Sequence, residues 1–225
     1  MLRAATKAIG HPRARSLQDK DLRRQHLIEA AAQLFAEGDF DSVTIARVAE
    51  LAGVAKGTAY LYFATKEALF LELVRAELSG WFDALSQRLE RMRSSQPASA
   101  VPQAMARVVA QRPVLRRLLV LLHGVIEPHI DQATARAFKL YLADLLLRVS
   151  TLIARKIPGF TREDAVTLVL QNHALVISLT QLSQPPPVIA QVLAADPALQ
   201  SMLIDFEPFL AHTLRTLVRG MLARK

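Results

Sequence analysis

TIARVAELAGVAKGTAYLYF, residues Thr44–Phe63, decides the fold. Ile45, Val48, Ala49 and Ala52 recur three or four residues apart, the spacing of one helix face. That predicts a short helix from Thr44 to about Leu51 with Thr44 as its N-cap. Gly53 follows, where a left-handed residue ends a helix at little steric cost. After the turn Gly53-Val54-Ala55, a second helix starts near Lys56. Its Ala59, Tyr60 and Phe63 are spaced so that one side can pack, leaving Lys56, Gly57, Thr58 and Tyr62 available. Two helices joined by so short a glycine-containing turn form a helix-turn-helix, whose second helix lies in the DNA major groove.

Extended to its flanks, the stretch resembles the tetracycline-repressor-like (TetR/AcrR) transcriptional regulators. The resemblance is carried by AAAQLFAEGDF at Ala30–Phe40, TIARVA at Thr44–Ala49, AGV at Ala52–Val54, KGTAYLYF at Lys56–Phe63 and TKEALF at Thr65–Phe70. It covers about residues 22 to 75, in the family's order and spacing. Two departures stand out. Ala55 sits where the family often has serine, so the second helix lacks a capping hydroxyl worth about 1 kcal/mol. Val48 replaces an isoleucine, a conservative change in a core.

The resemblance implies DNA-contacting roles for eight residues. Thr44 and Arg47 resemble positions that touch the backbone or a groove edge, and Lys56, Gly57 and Thr58 open the recognition helix. Tyr60 and Tyr62 carry hydroxyls suited to phosphates or, for Tyr60, a base edge or thymine methyl; the competing reading of Tyr60 is core packing. Lys66 resembles a phosphate-binding lysine at the start of the next helix. For Leu61 and Phe63 the expectation is packing.

Composition agrees with an all-α protein. The chain has 225 residues, 52% of them hydrophobic, with eight glycines and no cysteine. That length allows a DNA-binding domain and one larger companion, and the lack of cysteine excludes a disulfide framework and suits a cytoplasmic setting. Uninterrupted apolar runs fall short of the ~20 residues that span a bilayer, broken by His123-Gly124 and by Gln171-Asn172-His173, so no membrane association is expected.

The net charge of +8 is unevenly spread. Residues 1–24 hold seven basic and two acidic residues, net +5, whereas residues 25–75 are net −3. Residues 1–19 are therefore expected to form a flexible basic arm, with Arg3, Lys7, Arg13 and Arg15, adding salt-dependent phosphate contacts together with Lys20, Arg23 and Arg24. A merely solubilising tail and a mitochondrial-type leader are the competing readings. The DNA-binding domain is placed at 20–66 and a helical ligand-binding and dimerisation domain at 67–225.

Downstream, helical spacing predicts a long helix over about 66–92, a loop over Ser94–Pro102, and helices over 103–110, 113–126 and 132–156. Thr161-Arg162-Glu163-Asp164 reads as a capping box opening a helix to about Leu182. Pro185–Pro187 reads as a stiff connector, 188–203 as a short turn or helix, and 205–223 as a final amphipathic helix. The 161–182 segment is apolar almost all round, more than one packing face requires. Following the resemblance, helices 161–182 and 205–223 are assigned to a homodimer that reads a palindromic operator; internal core is the alternative.

The resemblance also implies a small-molecule effector, bound by a mostly apolar pocket. Leu118, Leu122, Ile126, Phe138, Tyr141, Leu145 and Val176 are core-type residues that would serve equally as pocket lining, and His123, Glu127, Asn172 and His173 offer polar groups. His123 and Glu127 have the spacing of a metal pair, but two ligands make no site and Pro128 interrupts the helix before His129, so neither a metal nor a cofactor is expected. No nucleophile elbow or phosphate-cradling glycine loop is present, which argues against an enzyme. Beside the repressor-type regulator reading implied by the family stand a helical interaction or architectural protein without effector response, and a peripheral membrane protein using the basic arm.

Overall fold

A computed structural model describes residues 12–224, with side chains from Asp19 onward. Every regular element among the described residues is helical. The chain divides at Leu73/Val74 into two compact units, and the two are taken separately below.

The first unit holds α1 (Pro12–Glu37), α2 (Ile45–Leu51), α3 (Lys56–Tyr62) and the opening turns of α4 (Lys66–Arg91). The division falls within α4 rather than at residue 66 because Leu69, Phe70, Leu71 and Leu73 are buried in the core of this unit. Phe70 is fully buried and meets Phe35 and Phe40 edge-on, with ring centroids 5.2 and 4.7 Å apart. The α1–α2 turn is tight: Ser42 N–H donates to the Asp39 carboxylate at 2.8 Å, and a Cβ on Gly38 would lie 2.6 Å from Ser42 Oγ. Gly53 has φ +67°, the left-handed conformation expected at the helix-turn-helix turn.

The basic arm fares differently along its length. Residues 1–11, with Arg3 and Lys7, lie outside the described residues, whereas α1 already starts at Pro12, so the helix takes in the second half of the expected flexible arm. Proline at the first helical position fits this start, since its missing N–H would have no partner there.

The second unit holds the rest of α4, then α5 (Pro97–Ala110), α6 (Pro113–Leu121), α7 (Gln132–Lys156), α8 (Arg162–Ser183), α9 (Pro187–Ala195) and α10 (Phe206–Leu222). α8 packs against α6, α7 and α10, and α10 lies against α5. The capping box is formed: Thr161 Oγ1 accepts from Asp164 N–H at 3.1 Å, and the Asp164 carboxylate accepts from Thr161 N–H at 2.9 Å.

Three expectations need correction. The segment 94–102 is not all loop, because α5 starts at Pro97 and contains Pro102. Pro97 occupies the first position, where proline is tolerated, and burial of Val101, Pro102, Ala104 and Met105 offsets the one helical hydrogen bond that Pro102 deletes. The helix expected over 113–126 ends at Leu121 and continues as a π-turn, Leu122–Ile126, and a 3-10 turn, Glu127–His129. Pro128 cannot donate and its ring crowds the preceding turn, and the backbone widens so that Glu127 N–H reaches Leu122 O. The proline connector ends one residue early, since Pro187 begins α9 with extended Pro186 as its cap.

Candidate nucleic-acid interface and effector cavity

The recognition helix α3 is anchored by two residues four apart, Ala59 and Phe63, both buried. Much of the remaining surface is open. Lys56, Gly57 and Tyr60 are exposed, Tyr60 by 47%, and Thr58 and Tyr62 are half-buried. Packing is thus not the role of Tyr60. Leu61 is a correction: it is 84% exposed, although packing was expected. Its place two residues from both Ala59 and Phe63 puts it about 160° from the anchor face by helix geometry. That signal was available in the spacing.

Around α3, capping decides local order. Thr44 Oγ1 accepts from Arg47 N–H at 3.3 Å, so Thr44 is the N-cap of α2. Ala55 caps α3 with no side-chain hydrogen bond, as the missing hydroxyl predicts. A Cβ on Gly57 would meet nothing within 4 Å, so no part of this chain requires a glycine there.

Three of the expected phosphate-binding cations are engaged within the unit. Arg47 donates to Ser42 O at 2.6 Å while remaining exposed. Lys66 Nζ donates to Phe40 O at 2.9 Å and lies 3.8 Å from the Phe40 ring centroid. Arg24 pairs with Glu72 at 2.5 Å and sits over the Phe63 ring. Lys66 and Arg24 therefore tie α4 to the α1–α2 turn and α1, a structural use that the sequence reading did not foresee. Lys20 and Arg23 are exposed.

The second unit contains a cavity of about 290 Å³, close to the lower end of the ~300–1,000 Å³ range of small-molecule sites. Leu and Val side chains from α4 to α8 form most of its wall. Of the residues expected to line a pocket, Leu122, His123, Asn172, His173 and Val176 do so. Leu118, Ile126 and Phe138 do not, and each is fully buried core. Tyr141 is also outside; its hydroxyl donates to Arg75 O at 3.0 Å, and the Arg75 guanidinium lies 4.6 Å from its ring centroid. Leu145, another candidate, lines it as well, whereas Trp81, Leu115, Leu119 and Val149 are lining residues that the sequence did not mark, because helical periodicity separates inside from outside but cannot tell core from cavity wall.

The polar groups at the cavity form a relay. Lys139 Nζ contacts Glu127 Oε1 at 2.6 Å, Glu127 Oε2 contacts His123 Nδ1 at 3.2 Å, and His123 Nε2 contacts His173 Nε2 at 3.0 Å. Glu127 lies outside the cavity wall but orients it. Burial pushes the Glu127 carboxyl up, yet the hydrogen bonds from Lys139 and His123 outweigh this and hold it below its ordinary 4.5. As a carboxylate it only accepts, so His123 Nδ1 carries the proton. His123 Nε2 is then an acceptor in the neutral ring, and His173 donates through Nε2. His173 is pushed below its ordinary 6.5, first by burial and then by the neighbouring basic groups His123 and Lys139. Two further atoms at the wall are unsatisfied within the protein: Trp81 Nε1 and Asn172 Oδ1 have no hydrogen-bond partner, a condition that costs about 1–3 kcal/mol each when nothing fills it.

The relay makes a pH prediction. Because the folded state holds the His173 pKa down, the unfolded chain binds more protons just below pH 6.5. Stability contributed by His173 is therefore complete above that pH and is lost as pH falls through the folded value. Thermal unfolding followed from pH 7.5 to 5 should show a falling midpoint, flattened in His173→Gln. Glu127 contributes a separate loss that begins only below about pH 4.5.

Residues 27–73 match the family model for bacterial regulatory proteins of the tetR family, and residues 75–225 match that for the tetracyclin repressor-like C-terminal domain. The chain belongs to the TetR family. TetR-family chains are DNA-binding transcriptional regulators, not enzymes, and the all-α fold with an N-terminal helix-turn-helix agrees. The TetR chain is 34% identical over 105 residues to the transcriptional repressor KstR2 of Mycobacterium tuberculosis, covering 43% of this chain and 52% of that protein. It is 27% identical over 74 residues to the fatty acid metabolism regulator protein of Bacillus subtilis, covering 33% of this chain and 38% of that protein. These matches span about half or less of the relatives' length. Among solved structures, the fatty acid degradation regulator FadR of Bacillus halodurans gives a TM-score of 0.58 at 15% identity over 89% of this chain and 96% of its own. FadR of Bacillus subtilis, solved with stearoyl-CoA, gives 0.54 at 15% identity, covering 86% and 96%. At such identity the likeness establishes the fold alone.

One helix among the described residues, Arg162–Ser183, is long and apolar enough by length and composition to cross a membrane. It is α8, whose contacts are with α6, α7 and α10.

Proposed function

We propose that the chain is a transcriptional repressor that binds a palindromic operator as a homodimer and is released when an apolar effector fills the cavity of its second unit. The observation that carries the DNA half is the open surface of α3, where Lys56, Gly57, Tyr60 and Leu61 are exposed around two buried anchors. Thr44 and Arg47 at the start of α2, with Thr58 and Tyr62, complete the reading face, and Leu61 joins it as a contact for a thymine methyl. Lys66 keeps only a secondary part, since a phosphate would compete with Phe40 O for its ammonium. Repression is supported by the likeness to KstR2, which is a transcriptional repressor.

Gly57 tests the reading face cleanly. With open space around it and a helical position, Gly57→Ala should not lower the melting temperature, because alanine gains up to ~1 kcal/mol of helix propensity. Operator affinity, measured by fluorescence anisotropy, should nevertheless drop about tenfold, since the added methyl stands where the DNA backbone comes closest. Unchanged affinity would move the interface off this end of α3.

The homodimer is supported by apolar side chains that α8 and α10 leave exposed, Leu170 and Leu182 on one and Phe209 on the other. Burying them against a second copy removes about 25 cal/mol per Å² of apolar surface from water. The effector half rests on the mostly aliphatic cavity, and the fatty-acid regulators among the relatives favour a ligand with a hydrocarbon chain. Compounds that raise the melting temperature by filling the cavity should lower operator affinity in the same concentration range; stabilisation without release would remove the effector role. A cytoplasmic location goes with this function.

A further inference from the structure

We propose that the effector is a neutral hydrocarbon bearing a hydroxyl group, which hydrogen-bonds between the Trp81 indole and the Asn172 side-chain amide. This rests on the cavity being the effector site. Both side chains are 6% exposed and both line the cavity, yet Trp81 Nε1 and Asn172 Oδ1 have no partner in the protein. An indole N–H can only donate and an amide oxygen can only accept. A hydroxyl does both from one atom: it accepts from Trp81 and donates to Asn172. An ether or ester satisfies Trp81 alone.

Charge on the ligand is disfavoured by the wall. Among the lining residues there is no lysine, arginine, aspartate or glutamate to neutralise it. His173 offers no substitute cation within the wall, because it is buried beside His123 and is held toward its neutral form, with Nε2 committed to that partner. A carboxylate or a phosphate would thus be stripped of water without receiving a counter-charge. The cationic end of the relay, Lys139, belongs to Glu127 at 2.6 Å.

The sign of one comparison decides the matter. In a dry pocket that offers no hydrogen bonds, an ether binds more tightly than its isomeric alcohol, because the alcohol loses more to desolvation. In this cavity the order should reverse. Titration calorimetry of the intact protein with octan-1-ol, heptyl methyl ether and octanoate at pH 8 should show the alcohol binding at least tenfold more tightly than either. Asn172→Leu should bring the alcohol down to the level of the ether while leaving ether binding in place, and Trp81→Phe, which removes the donor that both use, should weaken both and keep the alcohol ahead. Ether or octanoate binding as tightly as the alcohol would overturn the hydroxyl assignment but keep the cavity as an apolar site. No binding of any of the three to the folded protein would overturn both. The first comparison uses the unaltered chain, so a variant that fails to fold does not weaken it.

Discussion

Replacing Tyr60 with alanine is expected to reduce operator affinity by roughly 30- to 20,000-fold without loss of fold. A side chain that reaches a base edge is worth about 1–3 kcal/mol, and a twofold dimer loses it in both half-sites, about 2–6 kcal/mol together. Folding should be spared because Tyr60 is 47% exposed. Lys56→Ala separates the two kinds of contact. Its exposed ammonium, at the start of α3, would meet phosphate, so its loss should weaken specific and unspecific DNA alike and reduce the salt dependence by about one unit per half-site. Anisotropy titrations at several salt concentrations, with melting curves on the same samples, would read both effects. Two variants that bind as the parent does would place the reading face elsewhere.

The second large effect concerns stability. Phe70 is fully buried between Phe35 and Phe40, and Phe70→Ala should cost about 3–5 kcal/mol through lost transfer energy and the cavity left behind. Against a typical domain stability of about 5–15 kcal/mol, that is enough to unfold a small unit at moderate temperature. The loss should be local. Hydrogen exchange is expected to show amides of α2 and α3 losing protection while α7 and α8 keep theirs, and operator binding should vanish with the first group. Full protection of α2 and α3 in this variant would mean that the aromatic trio is not what holds the DNA-binding unit.

What the sequence made legible follows from how local each feature is. The caps at Thr44 and Thr161, the left-handed Gly53 and the bounds of α7 depend on residues within one or two turns, and all are found where spacing predicts them. Leu61 was misjudged although its phase relative to Ala59 and Phe63 was readable, because an aliphatic side chain was given more weight than its position. Features that depend on distant chain segments were harder. Pro102 inside α5 is stable only by virtue of what buries it, and Lys66 is drawn inward by the Phe40 carbonyl, 26 residues away in the chain. The cavity shows the same limit: Leu122, Val176 and Asn172 face it while Leu118, Ile126 and Phe138 do not, although all have the character of buried residues. Where space is left unfilled depends on packing between helices, which no single helix pattern encodes.

The central claim is that this chain reads DNA as a symmetric dimer. Selection of binding sites from random-sequence duplex DNA by the intact protein tests it most directly, because it presumes no target gene. The expected result is enrichment of an inverted repeat whose half-sites lie about one helical turn, ~10 bp, or a multiple of it apart, with enrichment lost in Tyr60→Ala. Failure to enrich any sequence, or enrichment of a single site without twofold symmetry, would contradict it.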